Sequence, residues 1–219
     1  MNQSVSHITL KLATSLDGRI ATASGESRWI TGAQAREVVH QLRSEHDAVL
    51  VGVETALADD PDLTVRLAGW SGRAPARVVL DSRQRLPDGC RLVSTARQIR
   101  TYVVSTTPPQ PRLVAAGVRV LQVDALGEER PDLHAVAAAL GGEGLKRLFV
   151  EGGGQVAASF LRCGLVDALE WFRAPMTLGG EGRPAVGALA LTSLADAPRF
   201  RRVDAVALGD DLWERYERI

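Results

Sequence analysis

Apolar residues are distributed along this chain in two patterns. Short runs such as Ala48-Val-Leu-Val51 are typical of buried strands, whereas the segment after Thr31 carries apolar residues at helical spacing. Gln34, three residues after Thr31, completes a capping box, so a helix is expected to begin at Thr31. The predicted helices run from Thr31 to about residue 46 and over 53–59, 133–140 and 155–163; the predicted strands cover 8–14, 47–52, 77–80, 101–105, 118–123, 147–150 and 167–174.

Two further stretches near the C-terminus predict an antiparallel hairpin. They cover residues 200–208 and 211–218 and flank the turn signal Gly209-Asp210. Elsewhere the predicted strands and helices alternate, which favours parallel pairing through helical connections. The prediction is therefore an α/β fold with a largely parallel central sheet, flanking helices and a C-terminal hairpin. Because no repeat or linker interrupts the chain, we expect a single domain over residues 1–219.

Composition and charge narrow the classes of function. The 26 basic and 26 acidic residues cancel, and no basic stripe suggests a nucleic-acid partner. The apolar runs are too short to span a bilayer, and residues 1–10 lack the pattern of a signal peptide. Two cysteines, Cys90 and Cys163, and four scattered histidines give neither a disulfide framework nor zinc-ligand spacing. We therefore expect a cytoplasmic protein with no membrane, nucleic-acid or metal site.

The segment from Leu148 to Phe160 is the strongest indication of a binding site. Its apolar run ends at Glu151, three glycines follow, and small and apolar residues then predict a helix. Because the first amides of such a helix attract phosphate, a phosphorylated ligand is expected beside Glu151. Gly152 to Ala157 also fits the dinucleotide fingerprint with Glu170 as its acidic partner, although that fingerprint normally opens a βαβ series. A purely structural turn is the remaining alternative.

Charged side chains in two other segments are candidates for ligand binding. Lys11 lies within a predicted strand, where it either meets a ligand together with Glu151 or faces solvent. The first predicted helix presents Arg36, His40 and Arg43 on one face. Such a face suits phosphate, but it is also typical of a solvated surface.

Two segments that contain aspartate have competing interpretations. Residues 58–62 are rich in aspartate, which indicates either a metal site or, more simply, a helix stop before Pro61. Asp81-Ser-Arg83 follows a strand end, where open α/β sheets bind ligands. Ser82 and Arg83 suit the 2′-phosphate that distinguishes NADP from NAD, and a capping turn is the alternative. Hydrolase chemistry has no support, because the chain has neither a G-x-S-x-G elbow nor a Cys–His pair.

Several motifs follow one another in order along this chain. They are Lys11-Leu-Ala-Thr-Ser-Leu-Asp-Gly-Arg19, Ser24-Gly-Glu-Ser-Arg-Trp-Ile-Thr31, Leu42-Arg43, Asp47-Ala-Val-Leu-Val-Gly52, Thr55, Asp59-Asp-Pro-Asp-Leu-Thr-Val-Arg66, Leu80-Asp-Ser82 and Val150-Glu-Gly-Gly-Gly154. Together they resemble the reductase domain of bacterial riboflavin biosynthesis, and the resemblance extends from about Ile8 to the C-terminus.

This resemblance implies a dihydrofolate-reductase-like fold, a phosphorylated small-molecule substrate and a homodimer. The implied reaction is NADPH-dependent reduction of 5-amino-6-(5-phosphoribosylamino)uracil to the ribitylamino compound, with hydride delivered to C1′ of the ring-opened ribose. Many family members are fused behind a zinc deaminase, whose H-x-E and P-C-x-x-C signature this chain lacks. We therefore expect a free-standing reductase or a reductase half, with a separate deaminase as a candidate partner.

The resemblance also implies which residues form the site. Lys11 and Glu151 are the catalytic candidates, which would hold the ribose hydroxyls or assist proton transfer during ring opening. Arg43 and Arg66 are expected to bind the 5′-phosphate. The full substrate-binding set is Ser27, Arg43, Leu63, Arg66 and Glu151. The NADPH-binding set is Ala13, Trp29, Thr55, Asp59, Ser82, Gly153, Gly154, Gln155, Val156, Ala157, Ala158 and Ser159.

Two other functions are compatible with the same fold. A related reductase of dihydrofolate or another pterin-like heterocycle would share the cofactor, but dihydrofolate has no phosphate for Arg43 and Arg66 to bind. A non-catalytic binding module would share only the architecture, because fold alone does not determine function. The presence of candidate residues for both ligands favours an enzyme.

Overall fold

The computed structural model describes residues 5–127 and 130–219. In this part of the chain, helices flank a mostly parallel central sheet, and the last strands pair antiparallel. This mixed α/β architecture confirms the predicted fold class. The strands are β1 (His7–Thr14), β2 (Arg19–Ala21), β3 (Ala48–Gly52), β4 (Ala76–Leu80), β5 (Thr101–Ser105), β6 (Arg119–Gln122), β7 (Ala125–Leu126), β8 (Arg130–Pro131), β9 (Arg147–Val150), β10 (Ala168–Arg173), β11 (Arg183–Pro184), β12 (Phe200–Leu208) and β13 (Asp211–Arg218). The helices are α1 (Ala33–Ser44), α2 (Val53–Asp59), α3 (Arg91–Ser94), α4 (Pro111–Ala116), α5 (Leu133–Gly142) and α6 (Gly154–Arg162), with a short 3-10 helix at Leu194–Asp196.

Internal contacts group the chain into two compact units. One unit comprises the chain up to Ser6 and Gln41–Phe149, and the other comprises His7–His40 and Val150–Ile219. The prediction of a single domain over residues 1–219 stays a prediction.

The first unit contains strands in the order β9-β3-β4-β5-β6. Strand β3 pairs parallel with β4, β4 with β5, and β5 with β6. Every residue of β3 and β5 is buried, because strands of a parallel sheet are covered on both faces. The Val-Leu-Val run of β3 and the Tyr-Val-Val run of β5 provide the apolar surface that this burial requires.

The second unit contains strands in the order β12-β13-β10-β1. Strand β1 pairs parallel with β10, β10 pairs antiparallel with β13, and β13 forms the terminal hairpin with β12. The hairpin turns at Gly209, whose φ of +65° favours glycine. The predicted bounds of both hairpin strands are confirmed.

Some local predictions are wrong. Helix α1 begins at Ala33, so Thr31 lies too far upstream to form the predicted capping box with Gln34. Helix α4 lies between two predicted strands where no helix is expected, and Pro111 stands at its first position, which tolerates a residue without an amide hydrogen. The two-residue strands β7, β8 and β11 are too short to show any periodicity.

Candidate functional site

The glycine turn after β9 has the geometry that the sequence predicts. Glu151 directly follows the strand, Gly153 adopts a φ of +69° as the N-cap, and α6 begins at Gly154. No side chain caps the first turn of α6, so its amides are presented at the helix start. Ala157 donates its amide hydrogen to the Gly153 carbonyl, 3.0 Å away. The helix start itself can therefore offer amides to an anion only up to Val156.

Gly154 packs against a segment that is distant in the sequence. No sequence pattern predicts this contact. A Cβ at Gly154 would lie 2.5 Å from the Pro184 carbonyl oxygen, closer than packed atoms allow. Gly187 also donates its amide to the Gly154 carbonyl at 2.8 Å. The segment after β11 therefore packs directly on the helix start and leaves no space for a side chain.

The side chains that follow in α6 divide between core and surface. Ala157 and Ala158 are buried, whereas Gln155 is exposed. Val156 and Ser159 are partly buried, and Ser159 accepts a hydrogen bond from Arg162. The alanines therefore have a packing role, and the cofactor assignments of all seven residues from Gly153 to Ser159 stay predictions.

Lys11 and Ala13 lie in β1, half-buried, on one face of the second unit's sheet. Their neighbours across the strand pair are Glu170 and Phe172 in β10. Glu170 lies in the middle of its strand and is buried, so it does not occupy the strand-end position of a ribose-binding acid. This placement favours a phosphate turn at Gly153 over a Rossmann start. That Glu170 neighbours Lys11 is not predictable from the chain alone, because strand register is not visible in a single sequence.

The loop after β1 is held by one aspartate. Asp17 accepts hydrogen bonds from the Ser15 hydroxyl at 2.6 Å and from the amides of Leu178 and Gly179. These hydrogen bonds, that from Ser15 foremost, lower the pKa of Asp17 from 3.8 to about 2. Asp17 therefore fixes the loop that follows Lys11 and Ala13.

Trp29 presents a large aromatic surface to solvent, with 66% of its area exposed. The Arg36 guanidinium stacks over its ring at 4.5 Å from the ring centroid, and Arg36 Nη1 donates to the Thr31 carbonyl. Arg36 thus supports Trp29 instead of forming part of a simple phosphate-binding face. Ser27 is half-buried in the same loop.

In the first unit, the loop after α2 is anchored by two arginines. Arg43 Nη1 donates to the Thr64 carbonyl at 2.9 Å. Arg91 donates its amide to Asp60 at 2.8 Å and its Nη1 to Asp62 at 3.1 Å. These aspartates therefore have an arginine partner, and no metal-binding cluster occurs among residues 5–127 and 130–219.

Leu63 lies in this anchored loop with a backbone that is unusual for leucine. Its φ is +53° while its side chain is buried, so packing holds a conformation that costs energy for a residue with a Cβ. Thr55 is half-buried in α2, whereas Asp59 and Arg66 are exposed. Their assignments to cofactor and substrate stay predictions.

The turn after β4 is organised by two residues of the predicted strand-end segment, Asp81 and Ser82, and by Gln84, which no sequence pattern identified. Asp81 is buried and accepts the Leu86 amide at 2.9 Å, so it serves the turn itself. The Ser82 carbonyl accepts the Ser105 hydroxyl at 2.8 Å. Gln84, buried with a φ of +53°, donates to Ser105 and to the Thr107 hydroxyl. Nothing in the sequence marks a glutamine for this conformation.

Residues 6–213 match the family described as the RibD C-terminal domain. The 2,5-diamino-6-ribosylamino-4(3H)-pyrimidinone 5′-phosphate reductase of Methanothermobacter thermautotrophicus is 39% identical over 212 residues, which are 96% of this chain and 97% of that protein. The riboflavin biosynthesis protein RibD of Escherichia coli is 37% identical over 220 residues, which cover 94% of this chain and 58% of that protein.

A solved structure shows the same architecture. Acinetobacter baumannii RibD matches with a TM-score of 0.86 and 31% identity, over 98% of this chain and 58% of that one. The chain thus spans little more than half the length of the RibD proteins it matches. Across the residues that the structure describes, no helix is long and apolar enough to cross a membrane.

Proposed function

The chain belongs to the RibD C-terminal domain family, and on this premise we propose that it reduces a phosphoribosylamino-pyrimidine with NADPH. Membership makes the chain an oxidoreductase of riboflavin biosynthesis that uses a nicotinamide cofactor. The proposed product is the ribitylamino compound. The primary candidate substrate is 5-amino-6-(5-phosphoribosylamino)uracil.

The geometry at the start of α6 is the main support for the cofactor proposal. The uncapped amides and the N-cap glycine at φ +69° make a surface that backbone atoms alone provide. Such a surface suits the pyrophosphate of a dinucleotide, which approaches amides closely and carries negative charge. The residues that would hold NADPH in this unit are Gly153 to Val156, with Trp29 and Ala13.

Different residues of the chain serve different parts of the proposed reaction. NADPH would supply the hydride that reduces C1′ of the ring-opened ribosylamine. Lys11 and Glu151 orient the ribose hydroxyls and move a proton as the ring opens, since an ammonium donates and a carboxylate accepts. Arg66 and Arg43 supply positive charge for the 5′-phosphate, and the Arg43 bond to Thr64 orients its guanidinium.

A second pyrimidine is also a candidate substrate. The archaeal relative that matches along 97% of its own length is named for 2,5-diamino-6-ribosylamino-4(3H)-pyrimidinone 5′-phosphate, the compound before deamination. Both pyrimidines carry the same phosphorylated ribose, so the residues assigned to ribose and phosphate suit either. A homodimer, a cytoplasmic location and a separate deaminase partner are further parts of the proposal.

The test measures NADPH oxidation optically with the uracil, the diamino-pyrimidinone and dihydrofolate in parallel. Turnover of either phosphorylated pyrimidine, with none of dihydrofolate, is the expected result. The faster pyrimidine identifies whether reduction follows or precedes deamination. Turnover of dihydrofolate alone, or of none of the three, would contradict the proposal. Replacing NADPH with NADH gives the cofactor preference in the same assay.

A further inference from the structure

Lys11 has an acidic neighbour on the adjacent strand of its own sheet. Strands β1 and β10 run parallel, and Lys11 is paired in register with Glu170. Directly paired residues project from the same face of a sheet, on strands about 4.8 Å apart. The ammonium and the carboxylate therefore lie on one face, within reach of each other.

Glu170 is fixed from its other side by β13. The Trp213 indole donates to one carboxylate oxygen at 2.7 Å, and Arg215 Nε donates to the other at 3.4 Å. Trp213 is itself held, because its ring stacks on Phe172 with a centroid separation of 5.7 Å and an interplanar angle of 2°. The carboxylate therefore has a defined position at the centre of three strands.

The buried negative charge of Glu170 requires a cation on the β1 side of its strand. Glu170 is only 5% exposed, and a buried carboxylate is costly unless charged partners and hydrogen bonds compensate it. Arg215 is a partial partner, since its side chain is 42% exposed and the separation is long. Lys11, Glu170 and Arg215 thus form a row of alternating charge on β1, β10 and β13.

We propose that Glu170 is a positioning residue for Lys11. Trp213, stacked on Phe172, holds the Glu170 carboxylate, and this carboxylate in turn holds the Lys11 ammonium. This proposal rests on the proposed function only for its catalytic consequence. A lysine side chain has four rotatable bonds, and a catalytic group must be held close to its productive geometry. Glu170 supplies the fixed counter-charge that limits the ammonium to one orientation, and it does not itself touch substrate.

The position of Lys11 can be measured without any substrate. The chain contains only two lysines, Lys11 and Lys146, so selective lysine labelling yields NMR signals from just two ε-methylene groups. In the native protein we expect separate shifts for the two ε protons of Lys11, because a held methylene is asymmetric. Glu170→Gln should bring these shifts together, while Lys146, which donates to the Gly141 carbonyl, stays unchanged as an internal reference.

Glu214→Gln is the matched control. Glu214 is 4% exposed in β13 and pairs with Arg173 at 2.7 Å, so it resembles Glu170 in chemistry and burial. It alternates with Trp213 and Arg215 along the strand and therefore faces the opposite side of the sheet. We expect this variant to leave the Lys11 signals unchanged. Trp213→Phe, which keeps an aromatic ring but removes the indole donor, provides a second disruption of Glu170 should Glu170→Gln fold poorly.

A kinetic cycle tests the catalytic consequence. Glu170→Gln should lower kcat about tenfold with little change in KM for NADPH. In a Lys11→Gln background, Glu170→Gln should lower kcat less than about twofold, because Glu170 acts through Lys11. Equal losses in both backgrounds, or Lys11 signals unaffected by Glu170→Gln and Trp213→Phe, would overturn the proposal. Absence of turnover in the native enzyme would instead count against the proposed function, and the NMR result would still decide the role of Glu170.

Discussion

Arg77 carries a guanidinium group into the interior of the first unit, with 1% of the residue exposed. Its Nε and Nη2 donate to the Thr101 hydroxyl, Nη1 donates to the Thr95 hydroxyl, and Nη2 also reaches the carbonyls of Leu92 and Ile99. These acceptors are all neutral oxygens. Burial lowers the pKa of Arg77 below its ordinary value, while the charge of Asp62 opposes that shift. The group therefore joins β4, α3 and β5 through a hydrogen-bond network.

Arg77→Met should destabilise the protein strongly. The methionine keeps most of the volume but leaves two hydroxyls and two carbonyls without the donors they have now, so we expect a loss of about 3 kcal/mol in the free energy of unfolding. Urea denaturation measures this loss. Arg73→Met, at an exposed arginine of the same unit, is the control and should change stability by less than about 0.5 kcal/mol. Equal effects for the two variants would contradict the role of the buried network.

Asp17 gives the protein an acid-dependent contribution to stability. Its pKa in the folded protein, about 2, lies below the ordinary value of 3.8 because Ser15, Leu178 and Gly179 donate to the carboxylate. A lowered pKa means that the stabilisation is complete above the ordinary value and is lost as pH falls towards 2. Urea midpoints of the native protein and Asp17→Asn should therefore differ at about pH 5 and converge towards about pH 2.5. A difference that stays constant over this range would refute the assignment.

At the level of elements, the start of α6 depends on close backbone packing. Its first residue, Gly154, lies against the Pro184 carbonyl and accepts the Gly187 amide. The segment after β11 therefore limits which residue the helix start can carry. No side chain caps the first amides of α6, which suits a phosphate-bearing ligand.

Gly154→Ala should impair both stability and NADPH binding. The added Cβ would meet the Pro184 oxygen at 2.5 Å, so the helix start must shift. We expect a loss of about 1–3 kcal/mol in unfolding free energy and at least about tenfold weaker binding in a fluorescence titration. Gly180→Ala, in the same unit and with open space around its Cβ position, is the matched control. Native affinity in Gly154→Ala would show that the ligand does not approach this turn.

At the level of the whole molecule, self-association is the main open prediction. The nine-residue strand β12 ends the strand order of its unit, and most of its residues are exposed. An exposed edge strand presents backbone groups to which a second copy can pair. Trp213, an aromatic residue of the same hairpin, has a role inside its own unit, because it stacks on Phe172 and donates to Glu170.

Sedimentation equilibrium should give a mass of twice the 23.5 kDa chain at micromolar concentration. The homodimer is expected from the family resemblance, and the exposed edge of β12 provides a physical route to it. A concentration series separates a stable dimer from weak association. A single species of 23.5 kDa throughout the series would contradict the prediction.

Local patterns predicted most of the secondary structure because their signals lie within a few residues. The buried run of β3, the hairpin around Gly209 and the strand–glycine–helix sequence at Glu151 were all identified in this way. The errors have local physical reasons too. Proline is typical of turns, but Pro111 stands at the first position of α4, which proline also suits. Strands β7, β8 and β11 are too short to show any pattern.

The sequence by itself determined the α/β class, the family and the candidate site residues, since periodicity and ordered motifs survive without coordinates. Only the tertiary structure decided what those residues touch. It put Glu170 beside Lys11, connected Arg43 to Thr64 and set Gly154 against Pro184. These contacts depend on strand order, register and the packing of distant segments, and one sequence carries no local signal for any of them.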